Sequence, residues 1–212
     1  HASHTGYAFH GYARTDAGLY DLERIDSDYI ARAEAITIMA AKLGIYVEWD
    51  LVDAWVLKHN LSPWSFGRNI NGVALGLNSL LRPPHPVVEA WVRAVVRALA
   101  KHTNVTFQVS NESFTAGPCE ASNLIGKQWA VDFGVGTQAY CTGDWETRLI
   151  EVAREEMAAL GVRRLIGSNA HLPVGAADYW AYHIERAARQ ARGDKPLLVN
   201  ETGNMSVAEQ LD

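Results

Sequence analysis

Two Asn-Glu dipeptides stand where apolar, β-branched runs end. NVTFQVSNESF (104–114) delivers Asn111 and Glu112, and KPLLVNETG (195–203) delivers Asn200 and Glu201. The two glutamates are 89 positions apart in the chain. If both runs are strands that point the same way, their exits share one rim. A carboxyl pair on such a rim could split a glycosidic bond. One group must be protonated to help the leaving oxygen depart, and the other ionised to attack the anomeric carbon or activate water. Carboxyl separations of roughly 5–5.5 Å give retention of configuration and roughly 6.5–9.5 Å give inversion. A strand end raises one pKa by desolvation and by its neighbour's charge. The plainer alternative is that each dipeptide caps a strand or forms a turn. The repetition, with Ser113 after one and Thr202 after the other, weighs toward chemistry.

Further polar residues gather at the same strand exits: Asp50, Asp53, Asn169, His171 and His183. Asp50 either binds a sugar hydroxyl or caps the next helix. His171 follows the run VRRLIGS (162–168) and is expected at the site's mouth. Seven Trp and eight Tyr are abundant for this length, and Trp55, Trp64, Trp129, Tyr140 and Trp145 lie beside turn residues. They read as partly buried packing or as faces that stack on pyranose rings. Residues 113–143 form a Gly-rich insertion containing Trp129, Phe133 and Tyr140, expected to wall one side of a cleft. The eight histidines include no HxH or HExxH arrangement, so no metal and no cofactor is expected. Cys119 and Cys141 lack zinc-site spacing; they form a disulfide if the protein is exported, or remain two free thiols.

The elements that must hold these groups alternate. DSDYIARAEAITIMAAKLG (26–44) has an acidic start, helical spacing of Tyr29, Ala33, Ile36, Ala40 and Leu43, and Gly44 at its end, which predicts a capped helix. IYVEWDLV (45–52) predicts a strand. A Gly/Asn/Pro-rich loop covers 61–84, and PVVEAWVRAVVRALAKH (86–102) predicts a helix with Pro in its first turn. The run 104–110 is the next strand. DWETRLIEVAREEMAALG (144–161) is a helix capped by Asp144, and 162–168 is another strand. YWAYH is a short strand or the start of the helix that suits 184–192, and PLLVN (196–200) is the last strand. Alternation with short connections and near-continuous apolar strands predicts a parallel sheet covered by helices. That leaves an open doubly wound sheet or a (β/α)8 barrel. No GxGxxG or P-loop follows a strand, which removes the usual reason to choose the former. In both, ligands sit at the carboxyl ends of the strands.

Bulk properties narrow the partners. The 212 residues are 48% hydrophobic and 20% charged, ordinary for one globular domain over 1–212. A net charge of −5 without a basic stripe argues against nucleic-acid binding. No apolar run approaches the roughly 18 residues that span a bilayer, so no membrane-embedded role is expected. The chain opens at His1, which reads as a processed chain or a fragment and leaves targeting open, with export the favoured side.

At this point the motifs resemble a known group. FQVSNES resembles the acid/base-bearing strand of clan A glycoside hydrolases, such as family 5 cellulases, and KPLLVNETG resembles the strand that carries their nucleophile. The intervening DWETRLIEVAREEMAALGVRRLIGSNAH and DYWAYH look like the units between those strands. The resemblance runs from about residue 20 to 203 and supplies roughly strands three to seven of a (β/α)8 TIM barrel. It implies a retaining β-glycosidase that acts on a polysaccharide or glycoside, with Glu112 as acid/base and Glu201 as nucleophile. It further implies that Asn111 binds the hydroxyl next to the anomeric centre and that His183 lines the cleft. Asn71, within GRNINGV, resembles a cleft-lining Asn, with a turn role as its alternative. The expected partner is a carbohydrate substrate, with a missing chain segment or a second subunit completing the barrel. The competing expectation is a non-catalytic carbohydrate-binding or structural module on the same scaffold.

Overall fold

The computed structural model describes residues 11–111, 113, 143–169, 174–182 and 195–199. Two sheets are present among them. A small antiparallel pair joins β1 (Tyr12–Arg14) to β2 (Tyr20–Ile25), with Tyr12 opposite Ile25 and Arg14 opposite Tyr20. The main sheet is parallel and has five strands: β3 (Val47–Asp50), β4 (Val105–Gln108), β5 (Ile166–Ser168), β6 (Tyr179–Tyr182) and β7 (Leu197–Val199). Its spatial order is the chain order, β3-β4-β5-β6-β7, without a reversal. The protein is therefore an α/β fold in which parallel strands alternate with helices.

Among the described residues four helices accompany the sheet: α1 (Ser27–Lys42), α2 (Ala54–Lys58), α3 (Pro86–Leu99) and α4 (Gly143–Ala159). Asp26 caps α1, its carboxylate accepting from the Asp28 and Tyr29 amides at 2.8 and 3.3 Å. Gly44, at φ +72°, ends it in the left-handed region that Gly tolerates best. Pro86 opens α3 as its spacing predicts, and Val88, Trp91, Val92, Val95, Val96 and Leu99 form a buried stripe along it. α3 packs between α1 and α4. Arg97 grips Glu156 at 2.7 and 3.0 Å and Arg148 grips Glu89 at 2.9 Å through both nitrogens, pinning α3 to α4.

The core lies between these helices and the sheet. Phe107 and Ile166 pair in register on β4 and β5 with no exposed surface, beside Leu149, Ile150 and Val92. The Trp49 indole donates to Thr37 at 3.2 Å and Asn104 donates to the Thr37 carbonyl at 3.0 Å, which locks α1 onto the start of the sheet. Among the described residues β3 is an edge strand. Beside it Ile36 and Met39 of α1 and Leu43 at its C-cap, together with Ile45 and Tyr46, are exposed apolar residues.

Three features depart from the sequence reading. Between the strand expected at 45–52 and the loop expected at 61–84 lies α2, too short to show a period, and that loop contains a 3-10 turn at Leu77–Leu81. Residues 12–25, which the sequence reading left without an element, form an antiparallel hairpin separate from the parallel sheet. Asp144 lies inside the first turn of α4, not at its cap. The helix expected at 184–192 and nearly all of the insertion 113–143 lie outside the described residues, as do Cys119 and Cys141.

Candidate functional site

The carboxyl ends of β3, β4 and β5 converge, and backbone pairing continues beyond the strands proper. The Asn111 amide donates to the Val52 carbonyl at 2.8 Å, and the Asn111 carbonyl accepts from Ala54 at 3.0 Å. Asp53 serves two purposes. Its Oδ1 caps α2 by accepting from the Trp55 amide at 2.9 Å and also accepts from the Asn111 side-chain amide at 3.3 Å. Asn111 is therefore held half-buried at the exit of β4, immediately before Glu112.

Asp50 stands at the end of β3 opposite Gln108. Asp50 is exposed at the strand end, at the side of a recess whose protein atoms crowd its carboxyl group. That desolvation, with Glu48 and Asp53 as negative neighbours, raises its pKa from 3.8 to about 7, against a lowering hydrogen bond from Gln108. A cavity of about 270 Å³ opens beside it, lined by Asp50, Asp53, Ser62, Tyr12, Trp64 and Trp91 among others. Its aromatic wall is fixed by polar ties. The Trp91 indole donates to the Leu51 carbonyl at 2.8 Å, and the Trp64 indole donates to the Tyr12 hydroxyl at 3.0 Å. Gly11 is required there, because a Cβ would lie 2.0 Å from the Trp91 ring.

Across the sheet face opposite the helices, Tyr179 on β6 lies over Gly167 on β5. Its hydroxyl reaches the Phe107 carbonyl on β4 at 2.8 Å and hydrogen-bonds the Glu48 carboxylate on β3. Burial and the Glu48 carboxylate push the phenol well above its usual range, so it remains a proton donor. This face is polar where the helix face is apolar: Glu48, Asp50, Gln108 and Tyr179 share it. A second polar group lies at the exits of β4 and β5, where Glu146 in the first turn of α4 accepts hydrogen bonds from Ser110, Ser113 and Ser168. Asn169, just past β5, donates to the Ala181 carbonyl on β6 at 2.7 Å.

No protein-family model, curated protein or solved structure matches the chain. The site rests on its own geometry.

Of the residues singled out in the sequence, the structure brings Asp50, Asp53 and Asn111 to one rim. Asp53, not Asp50, caps the helix that follows. Asn71 is exposed and its Oδ1 accepts from the Leu22 amide at 2.8 Å, tying the loop to β2. It lines a different cavity of about 470 Å³, between the β1–β2 hairpin and α3. Glu112, Glu201, Asn200, His171, His183 and Tyr140 lie outside the described residues. Glu48, Gln108, Tyr179 and Glu146 were not singled out in the sequence. The alternation Glu48-Trp49-Asp50 carried a signal for Glu48, since strand residues two apart share a face. Glu146 carried none, because an acid in a first helical turn is commonplace. Among the described residues no group of three or more His, Cys, Asp or Glu could hold a metal ion, and no helix is long and apolar enough to cross a membrane.

Proposed function

We propose that the protein is a retaining glycoside hydrolase of the clan A type on a (β/α)8 barrel scaffold, with Glu112 as acid/base and Glu201 as nucleophile. The strand order is the observation that supports it most. Right-handed crossovers along an order without reversal put every connecting helix on one face, and α1, α3 and α4 do pack side by side. A doubly wound sheet needs a reversal to cover both faces. The Tyr179 hydroxyl also reaches Glu48 three strands away, a span of roughly 14 Å along a flat sheet at about 4.8 Å per strand. A concave polar face shortens that chord, as the inside of a barrel does. On this reading the exits of β4 and β7 hold Glu112 and Glu201 on a common rim.

The chemistry balances in two steps. Glu201 attacks the anomeric carbon while Glu112 gives its proton to the departing glycosidic oxygen, and the C–O bond breaks. The Glu112 carboxylate then takes a proton from water, whose oxygen attacks the same carbon and releases Glu201. Asn111, steered by Asp53, binds the neighbouring sugar hydroxyl. Asp50 and the aromatic cavity beside it bind a further part of the glycan, and His171, His183 and Tyr140 line the cleft. The β3 edge and the exposed apolar residues beside it are covered by further polypeptide or by a partner chain that completes the barrel.

The test is turnover of aryl β-glycosides and β-glucans. Glu112→Gln is expected to cost at least about 10²-fold with poor leaving groups, and Glu201→Ala to abolish turnover, both with unchanged circular dichroism. Full activity in either variant would contradict the assignment. Glycan binding without hydrolysis by the unaltered protein would favour the non-catalytic module instead.

A further inference from the structure

Glu146 is fully buried, and its two carboxyl oxygens are divided between two strand exits. Oε1 accepts from Ser110 at 2.7 Å and from Ser113, while Oε2 accepts from Ser168. All three serines are themselves fully buried. Ser110 and Ser113 flank Asn111 and Glu112 in the chain, so one oxygen holds both shoulders of the Asn-Glu step. The other oxygen fastens that step to the end of β5. A buried carboxylate is costly to desolvate, and an apolar residue of like volume would pack α4 against the sheet at lower cost. What an apolar side chain cannot do is accept hydrogen bonds from both sides of residue 112 at once. The position of Glu146 in the first turn of α4 favours its negative charge through the helix dipole.

We infer that Glu146 is a positioning residue for Glu112: it fixes the backbone on both sides of the general acid and so sets the direction of proton delivery. This rests on the reading of Glu112 proposed above. Helix and strand exits are rigid elements, and a small misplacement of a proton donor is expensive in rate.

Leaving-group dependence tests this, because only a poor leaving group needs the proton. The probes are phenyl and 2,4-dinitrophenyl β-glucosides, β-mannosides and β-xylosides, read as kcat/KM, which reports the steps through glycosyl transfer to the enzyme. Glu146→Gln is expected to lower kcat/KM for the phenyl glycoside by about 10–10²-fold and to leave the dinitrophenyl glycoside nearly unchanged. Ser113→Ala keeps the carboxylate and removes one shoulder, so it should show the same selectivity at smaller size. It carries the test if Glu146→Gln does not fold. Equal losses on both leaving groups, or no loss on either, would overturn the positioning role. Glu112→Gln measured alongside separates the two levels: if it lacks the leaving-group selectivity, the assignment of Glu112 fails first. Absence of turnover of every probe by the unaltered protein overturns both.

Discussion

At the residue scale the structure makes Asp50 the titrating group of the recess. A carboxyl whose folded pKa lies above its unfolded value binds its proton more tightly in the native state. Folding is therefore favoured below pH 4 relative to above pH 7, and stability contributed by protonated Asp50 is lost as pH rises through about 7. Asp50→Asn is expected to flatten this slope and to stabilise the protein at pH 8. Urea unfolding of both proteins between pH 4 and 8 measures it, and a parallel slope in the variant would contradict the account. Asp50 and Asn111 were legible in the sequence because each ends an apolar run, where few structural reasons for a polar residue exist. Glu146 was not, because its importance comes from three serines that the chain brings together only on folding. Asp53 was legible as polar, but its double tie to Trp55 and Asn111 needed the fold.

At the element scale the pairing of β5 with β6 depends on the absence of a side chain. A Cβ on Gly167 would lie 2.3 Å from the Tyr179 ring, whose hydroxyl is tied to the Phe107 carbonyl and to Glu48. Gly167→Ala should displace Tyr179 from Glu48 and Phe107 and cost about 1–3 kcal/mol, as overpacking typically does. Chemical denaturation gives the number, and an unchanged midpoint would mean that the ring moves freely. The long helices α1, α3 and α4 were readable from period and caps. The element after β3 was not: α2 has five residues and its cap is Asp53, whereas the sequence offered Asp50 as the cap. The β1–β2 hairpin was missed for a related reason. Its strands are short, and YDLERI carries more charge than a buried strand, so neither alternation nor a continuous apolar run marks it.

At the scale of the whole molecule, a parallel sheet alternating with helices was legible, because alternating periods of 2 and 3.6 imply βα units directly. The strand order β3-β4-β5-β6-β7 was not, since which strands become neighbours depends on the whole sheet and not on local pattern. The same scale gives the exposed Ile36, Met39 and Leu43 their meaning. Met39 is 65% and Leu43 70% exposed on the flank where a further βα unit would join β3. If the barrel is completed there, Met39→Glu buries an unpaired charge and should cost several kcal/mol in the completed assembly, read as a lowered unfolding midpoint. A neutral result would leave the β3 edge open to solvent.

The central claim is a covalent glycosyl-enzyme on Glu201 formed with acid assistance from Glu112. Incubation with an activated 2-deoxy-2-fluoro β-glycoside, followed by proteolysis and peptide mass mapping, tests it most directly. The account predicts one added fluoroglycosyl group, on the peptide that contains Glu201, with the label lost from Glu201→Ala. Label on another residue, or hydrolysis of β-glycosides with inversion and without any label, would contradict it.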